Sequence, residues 1–228
     1  MALLLHIDTA QEKARISLAE KDQILAEQIH IEQKTHASFL QPAIEDILKK
    51  SNKRLEDLDG VSVSGGPGSY TGLRVGLASA KGLCYTLSKP LILLNTLEIM
   101  TTEAIMATVA PEQYLYAPLI DARRMEVFGA VYNTNLVASL APGAYLLDDP
   151  NFLAAISGTS KKVLFFGSGM EKWKNLNPAG PYEFISLPHG PQAQNNLAQA
   201  YFSKKQFADI AYSEPLYFKS FYTTAKIL

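Results

Sequence analysis

The stretch from Val61 to Tyr85 constrains the fold of this chain more than any other. Val61-Ser62-Val63-Ser64 is compact and β-branched, as a buried strand is. It runs into Gly65-Gly66-Pro67-Gly68-Ser69-Tyr70-Thr71-Gly72-Leu73-Arg74-Val75-Gly76, and then into Leu77-Ala78-Ser79-Ala80-Lys81-Gly82-Leu83-Cys84-Tyr85. Strand, glycine turn and helix in that order define an α/β unit, with a helix N-terminus set at the end of a strand.

Two readings of the turn compete. Orphan N–H groups and the positive end of the helix dipole point the same way, which suits an anion. The loop lacks the Gly-Lys-Ser/Thr ending that lets a P-loop reach the outer phosphates. The structural alternative has Gly66 and Gly68 forming a tight turn and Thr71 capping the helix, and it is favoured. The helix itself carries Gly72, Gly76 and Ala80 at four-residue intervals, with Ser79 and Gly82 nearby. A helical glycine costs ~1 kcal/mol relative to alanine, so several together call for a close helix-to-helix approach. Leu73, Leu77, Cys84 and Leu87 can face the sheet, leaving Val75, Ala78, Ser79 and Gly82 for a second helix. Packing wholly inside one lobe is the alternative.

Around this unit, Leu3 to Asp8, Ala14 to Ala19 and Gln23 to Glu32 read as an antiparallel meander. From His36 the period becomes helical, with Phe39, Leu40, Ala43, Ile44, Ile47 and Leu48 forming a stripe too wide for one contact. After Pro90, Leu91 to Leu94 is a buried strand and Leu97 to Ala107 a short apolar helix. A first lobe, 1–105, should end there, with a hinge near 105. In the second, 106–228, strands are expected at Tyr114 to Asp121, Glu126 to Tyr132, Ala144 to Leu147 and Val163 to Phe166. Helices start at Asn151 and span Gln192 to Ser203. Each half thus opens with meandering strands and later offers a strand, glycines and a helix.

With 228 residues, 47% hydrophobic, the chain can bury one large core or two small ones. Lys plus Arg total 21 against 22 for Asp plus Glu, so no net field draws it to nucleic acid. The opening apolar residues reach His6 and Asp8 too soon for a signal-peptide core, and no run approaches the ~20 residues of a membrane span. A cytoplasmic protein is expected, without disulfides, since Cys84 is the only cysteine.

Catalytic chemistry is hard to find. His6, His30, His36 and His189 show no paired metal-ligand spacing, and His30 with Glu32 lacks a third ligand. Asp8 reads as a turn residue rather than a magnesium anchor. Cys84 sits mid-helix, not at an N-terminus that would lower its pKa. No serine occupies a Gly-x-Ser-x-Gly elbow. The cluster Asp121-Ala122-Arg123-Arg124-Met125-Glu126 reads as a turn with internal ion pairs.

Ile7-Asp8-Thr9, the signature Gly66 to Gly76 and Ala80-Lys81-Gly82-Leu83 resemble the TsaB (YeaZ) family, with a closing Pro215-Leu216-Tyr217-Phe218-Lys219 in the second half. The resemblance implies two lobes of the actin, sugar-kinase and Hsp70 (ASKHA) type, each a mixed sheet with helices. It also implies kinship with TsaD, which transfers threonylcarbamoyl to the tRNA adenosine beside the anticodon. TsaD carries a His-Leu-Glu-Gly-His metal motif, and here the corresponding stretch is Thr96-Leu97-Glu98-Ile99-Met100. A non-catalytic subunit without metal or cofactor is what the resemblance implies. Its implied partners are a TsaD-like catalytic subunit and a TsaE-like ATPase, with a homodimer when alone and tRNA met only through the complex. An ATP-binding enzyme of the sugar-kinase type and a peptidase of the wider family are the alternatives. The partner surface is expected on the two helices starting near His36 and Thr71: His36, Phe39, Leu40, Ala43 and Ile47 on the first, and Thr71, Arg74, Val75, Ala78, Ser79 and Gly82 on the second.

Overall fold

The computed structural model describes residues 2–31, 36–176 and 179–219. Two lobes repeat one plan. In lobe I the strands β1 (Leu3–Asp8), β2 (Ala14–Glu20), β3 (Gln23–His30), β4 (Gly60–Gly66) and β5 (Leu91–Asn95) form a sheet of order β3-β2-β1-β4-β5. The first three strands are an antiparallel meander, and β4 and β5 add in parallel. Lobe II repeats this with β6 (Tyr114–Asp121), β7 (Glu126–Tyr132), β8 (Ala138–Leu146), β9 (Lys162–Phe166) and β10 (Tyr182–Phe184), in the order β10-β9-β6-β7-β8. Each lobe therefore has the expected mixed sheet, centred on its first strand.

Helices follow the third, fourth and fifth strand of each lobe: α1 (His36–Lys50), α2 (Tyr70–Leu87) and α3 (Thr96–Ala107) in the first, α4 (Pro150–Ser157), α5 (Met170–Asn175) and α6 (Gln192–Ser203) in the second. Period-2 geometry explains why β1 reads as an unbroken apolar run. Leu3, Leu5 and Ile7 meet the α1 and α2 side, while Ala2 and Leu4 meet α6 on the opposite face. The apolar stripe of α1 is wide because it covers β2 and β3 and also meets α2.

α3 is apolar on more than one side because both lobes use it. Ile99 packs with Leu4, Ile92 and Leu94 of lobe I, whereas Leu97, Met100 and Ala104 pack with Tyr116, Ile120 and Phe166 of lobe II. The helix runs past 105 to Ala107, and a turn at Pro111–Gln113 leads into β6. α6 returns to lobe I and covers the back of its sheet. Among the described residues, no helix is long and apolar enough to cross a membrane.

Four details differ from the sequence reading. β8 begins at Ala138, not Ala144, with irregular register against β7 near Val131. The strand from Gln23 ends at His30, and Glu32 lies outside the described residues. α5 and β10 carried no periodic signal. The cap of α2 is Ser69, whose hydroxyl accepts from the Gly72 N–H at 3.3 Å, while Thr71 is exposed inside the first turn.

Candidate functional site

Between the lobes lies a cleft of about 940 Å³, walled by the β1–β2 turn, the glycine turn and α3 on one side and by the β6–β7 turn and residues 185–190 on the other. To hold the phosphates of a nucleotide, such a cleft needs free backbone donors. Here the N–H groups of Ala10, Ser69 and Gly72 are spent internally. The Asp8 Oδ1 accepts from the Ser64 hydroxyl at 2.7 Å and from the Ala10 N–H at 3.1 Å. Thr9 donates its hydroxyl proton to the Gly72 carbonyl at 2.7 Å, and the Ser69 N–H donates to the Ala10 carbonyl at 2.6 Å.

The glycines make this closure possible. A Cβ on Gly68 would lie 2.1 Å from the Ala10 carbonyl oxygen, and one on Gly72 would lie 2.0 Å from that of Thr9. A Cβ on Gly76 would lie 2.2 Å from the Thr9 hydroxyl, and Gly66 adopts φ +111. Gly72 and Gly76 are thus explained by a close approach within their own lobe, and Ala80 is buried in that lobe's core. Gly82 differs: among the described residues nothing lies within 4 Å of the position its Cβ would take.

The opposite rim is a turn, as its sequence suggested, but its two carboxylates pair with lysines outside it rather than within it. Asp121 accepts from Lys172 and from the Arg123 N–H, both at 2.6 Å. Partial burial raises its pKa, but the Lys172 ammonium and that N–H outweigh it and leave the carboxyl below its usual range. Glu126 pairs with Lys219. Deeper in, Glu103 accepts from the Gly190 N–H at 2.7 Å, and Arg15 reaches both Glu27 and the His189 carbonyl.

The side chains along α3 do not suit a metal. The Thr96 hydroxyl is buried without a hydrogen-bond partner among the described residues, and the Met100 methyl packs where a Cβ on Gly167 would sit. A hydroxyl and a thioether in an apolar core do not fit a hard or borderline divalent ion. Glu98 turns away toward α6, where Tyr201 donates to it at 3.2 Å, and burial raises its pKa. Among the described residues no three His, Cys, Asp or Glu side chains cluster as metal ligands. Burial pushes the Cys84 thiol up to about 11, which leaves it a packing residue.

The remaining candidates lie on the outside of lobe I. On α1, Leu40, Ala43 and Ile47 are buried in the lobe's own core, so they are not a free surface. Phe39 is half-buried and stacks on His30 at 4.8 Å; the side chain of His36 lies outside the described residues. The outer face of α1 is charged, with Lys49 on Glu45 and Lys50 on Asp46 at i,i+4. α2 is different. Thr71, Arg74, Ala78 and Gly82 are exposed on one stripe, with Val75 and Ser79 half-buried beside it. The stripe continues to Tyr85, which is 80% exposed and which the sequence reading missed. Beside it, between α1 and α2, Pro42, Ile44, Leu48, Leu55 and Leu83 give an apolar floor to a groove of about 490 Å³ that Glu45, Lys49, Lys53 and Arg54 also line.

Duplicated lobes, a central cleft and a shared α3 define the two-lobed actin and sugar-kinase class of fold, here with its glycine turn locked onto its own β-hairpin. The family model described as "TsaD: tRNA N6-adenosine threonylcarbamoyltransferase" matches residues 23–214. A TsaB protein of tRNA threonylcarbamoyladenosine biosynthesis from Bacillus subtilis is 29% identical over 197 residues, covering 85% of this chain and 82% of that protein. One from Buchnera aphidicola is 35% identical over 177 residues, covering 76% and 78%. The structure of YeaZ from Pseudomonas aeruginosa superposes with a TM-score of 0.76 at 24% identity, over 95% of this chain and 100% of that one. The chain belongs to the TsaB branch of this TsaD-related family, which takes part in tRNA threonylcarbamoyladenosine biosynthesis.

Proposed function

We propose that the chain is a non-catalytic subunit supporting threonylcarbamoyl transfer, by a TsaD-like partner, to N6 of the tRNA adenosine next to the anticodon. The observation that carries this reading is the outer stripe of α2, where Ala78 and Gly82 are small, exposed and unobstructed between Arg74 and Tyr85. Small residues there let a partner helix approach closely. The apolar floor of the adjoining groove gives its side chains a place to pack. Self-pairing of the free chain through the same stripe would be isologous. Thr96 and Met100 in place of two imidazoles, and the Ala10, Ser69 and Gly72 N–H groups already hydrogen-bonded around the glycine turn, both favour a scaffold role over catalysis. A net charge of -1 favours contact with tRNA only through the complex. A TsaE-like ATPase completes the assembly, and the cytoplasm is its compartment.

Co-expression with the TsaD-like subunit of the same organism, followed by sizing, tests the reading. The parent chain should co-elute. Ala78→Glu and Gly82→Arg should elute alone while keeping the parent's circular dichroism. Co-elution of both variants like the parent would reject this surface, and ATP turnover by the isolated chain would favour the sugar-kinase alternative.

A further inference from the structure

After α6 the chain runs back along lobe I. The Ala208 N–H donates to the Leu91 carbonyl at 2.8 Å, and Lys81 of α2 donates to the carbonyls of Ala211 at 3.1 Å and Ser213 at 3.0 Å. The Leu216 N–H then donates to the Gly65 carbonyl at 2.7 Å, and the Leu216 carbonyl lies 2.9 Å from the position of a Cβ on Gly66. Tyr217 accepts from the Arg74 Nε at 3.0 Å, and the Arg74 guanidinium sits 4.1 Å from the Tyr70 ring centroid. These contacts all belong to lobe I. The next two residues belong to lobe II. Phe218 packs on Phe128 of β7 with ring centroids 6.3 Å apart, and Lys219 donates to the Ala122 carbonyl at 2.9 Å and pairs with Glu126.

We infer that residues 216–219 form a latch that holds the lobes at their observed angle and links the outer face of α2 to the cleft. Four residues carry the chain from the end of β4 to the β6–β7 hairpin. Phe128, under Phe218, is itself part of the cleft wall. The lobe I end is fixed by a backbone hydrogen bond and by Arg74 held against Tyr70 and Tyr217. Among the described residues the lobe II end rests on one ring contact and one half-exposed lysine, so it is the end that releases. Arg74 also lies on the exposed stripe of α2, and whatever engages its guanidinium from outside competes with Tyr217. The latch itself requires no partner, and its test uses the chain alone.

Spin labels on Lys13→Cys and Met125→Cys, at exposed sites on the two sides of the cleft mouth, report the interlobe distance; Cys84 is buried. Phe218→Ala with Lys219→Ala should broaden the distance distribution and move it to longer values, Arg74→Ala should broaden it less, and Lys219→Arg should restore the parent distribution. Each variant is first checked for parent-like circular dichroism. If the double variant does not fold, Glu126→Gln removes the ion pair from the other side and is read in the same way. A distribution identical to the parent's in a folded latch variant overturns the inference. Failure of the partner reading would show in the sizing experiment and leave this one unchanged.

Discussion

Lobes I and II repeat the same order of strands and helices, and in both the turn after the fourth strand is tied to the first hairpin. In lobe I the Ser69 N–H donates to Ala10. In lobe II the Gly169 N–H donates to Leu119 at 2.8 Å and the Ser168 hydroxyl accepts from the Asp121 N–H at 3.1 Å. The difference lies in the helix that each turn opens. α2 has 18 residues and exposes a full stripe, whereas α5 has six and is pinned by the buried Trp173. Local glycines thus serve the shared scaffold, and length and outer surface are what lobe I adds.

The sharpest test of this division is a set of glycine replacements. Gly68→Ala and Gly72→Ala drive a methyl into a backbone carbonyl that cannot retreat, and each should cost about 3 kcal/mol or more in denaturant unfolding. Gly167→Ala should be comparably damaging in lobe II, where φ is +95 and the Leu119 carbonyl oxygen lies 2.4 Å from the would-be Cβ. Tolerance of all three would refute the shared lock.

The faces buried toward the middle of the molecule differ too. Lobe II meets α3 with Tyr116, Ile120, Leu164 and Phe166, whereas lobe I meets α6 through apolar residues such as Leu4, Ile92 and Leu197 and, beside them, a polar seam. There His6 lies 2.7 Å from the Ser62 hydroxyl and 3.1 Å from the side-chain Oδ1 of Asn195, and Gln194 donates to Ser62 and to the Ile7 carbonyl. Burial lowers the His6 pKa to about 4 from 6.5, with the Asn195 hydrogen bond opposing it. Between those values the unfolded chain binds the proton and the folded one does not. Stability is therefore full above pH 6.5 and falls as pH drops toward 4, by about 3 kcal/mol in all. Urea titrations across that window should show the slope, and His6→Gln should flatten it.

A smaller effect of opposite sign is expected on the outer stripe. Gly82→Ala adds a methyl in open space on a helix and should stabilise the isolated chain by up to about 1 kcal/mol. A loss of stability would mean that Gly82, like Gly72, serves the scaffold.

Much of the fold was legible because long periodic segments follow burial. β1, β6, β7 and α6 run over the ranges their patterns give, since each has one or two faces that must be apolar. α5 and β10 were missed because six and three residues are too short to show a period. The apolar stripe of α1 pointed to a partner because a helical wheel shows width without saying what fills it, and here a sheet and α2 fill it. Gly68, Gly72 and Gly76 have causes that sequence cannot show, since each answers an atom of Thr9 or Ala10, far away along the chain. The stripe on α2 was legible as small residues, but its continuation through Tyr85 was not, because an exposed tyrosine carries no pattern.

Reconstituted tRNA modification decides whether lobe I's outer surface serves a catalytic partner while this chain supplies no catalysis. Purified TsaD-like and TsaE-like subunits, substrates and tRNA would be assayed for threonylcarbamoyladenosine without this chain, with it, and with Ala78→Glu. The account predicts little product without the chain, full product with it, and a loss of at least about tenfold with Ala78→Glu, the rate equivalent of a contact worth about 1.4 kcal/mol. Full product without the chain, or equal product with Ala78→Glu, would contradict it.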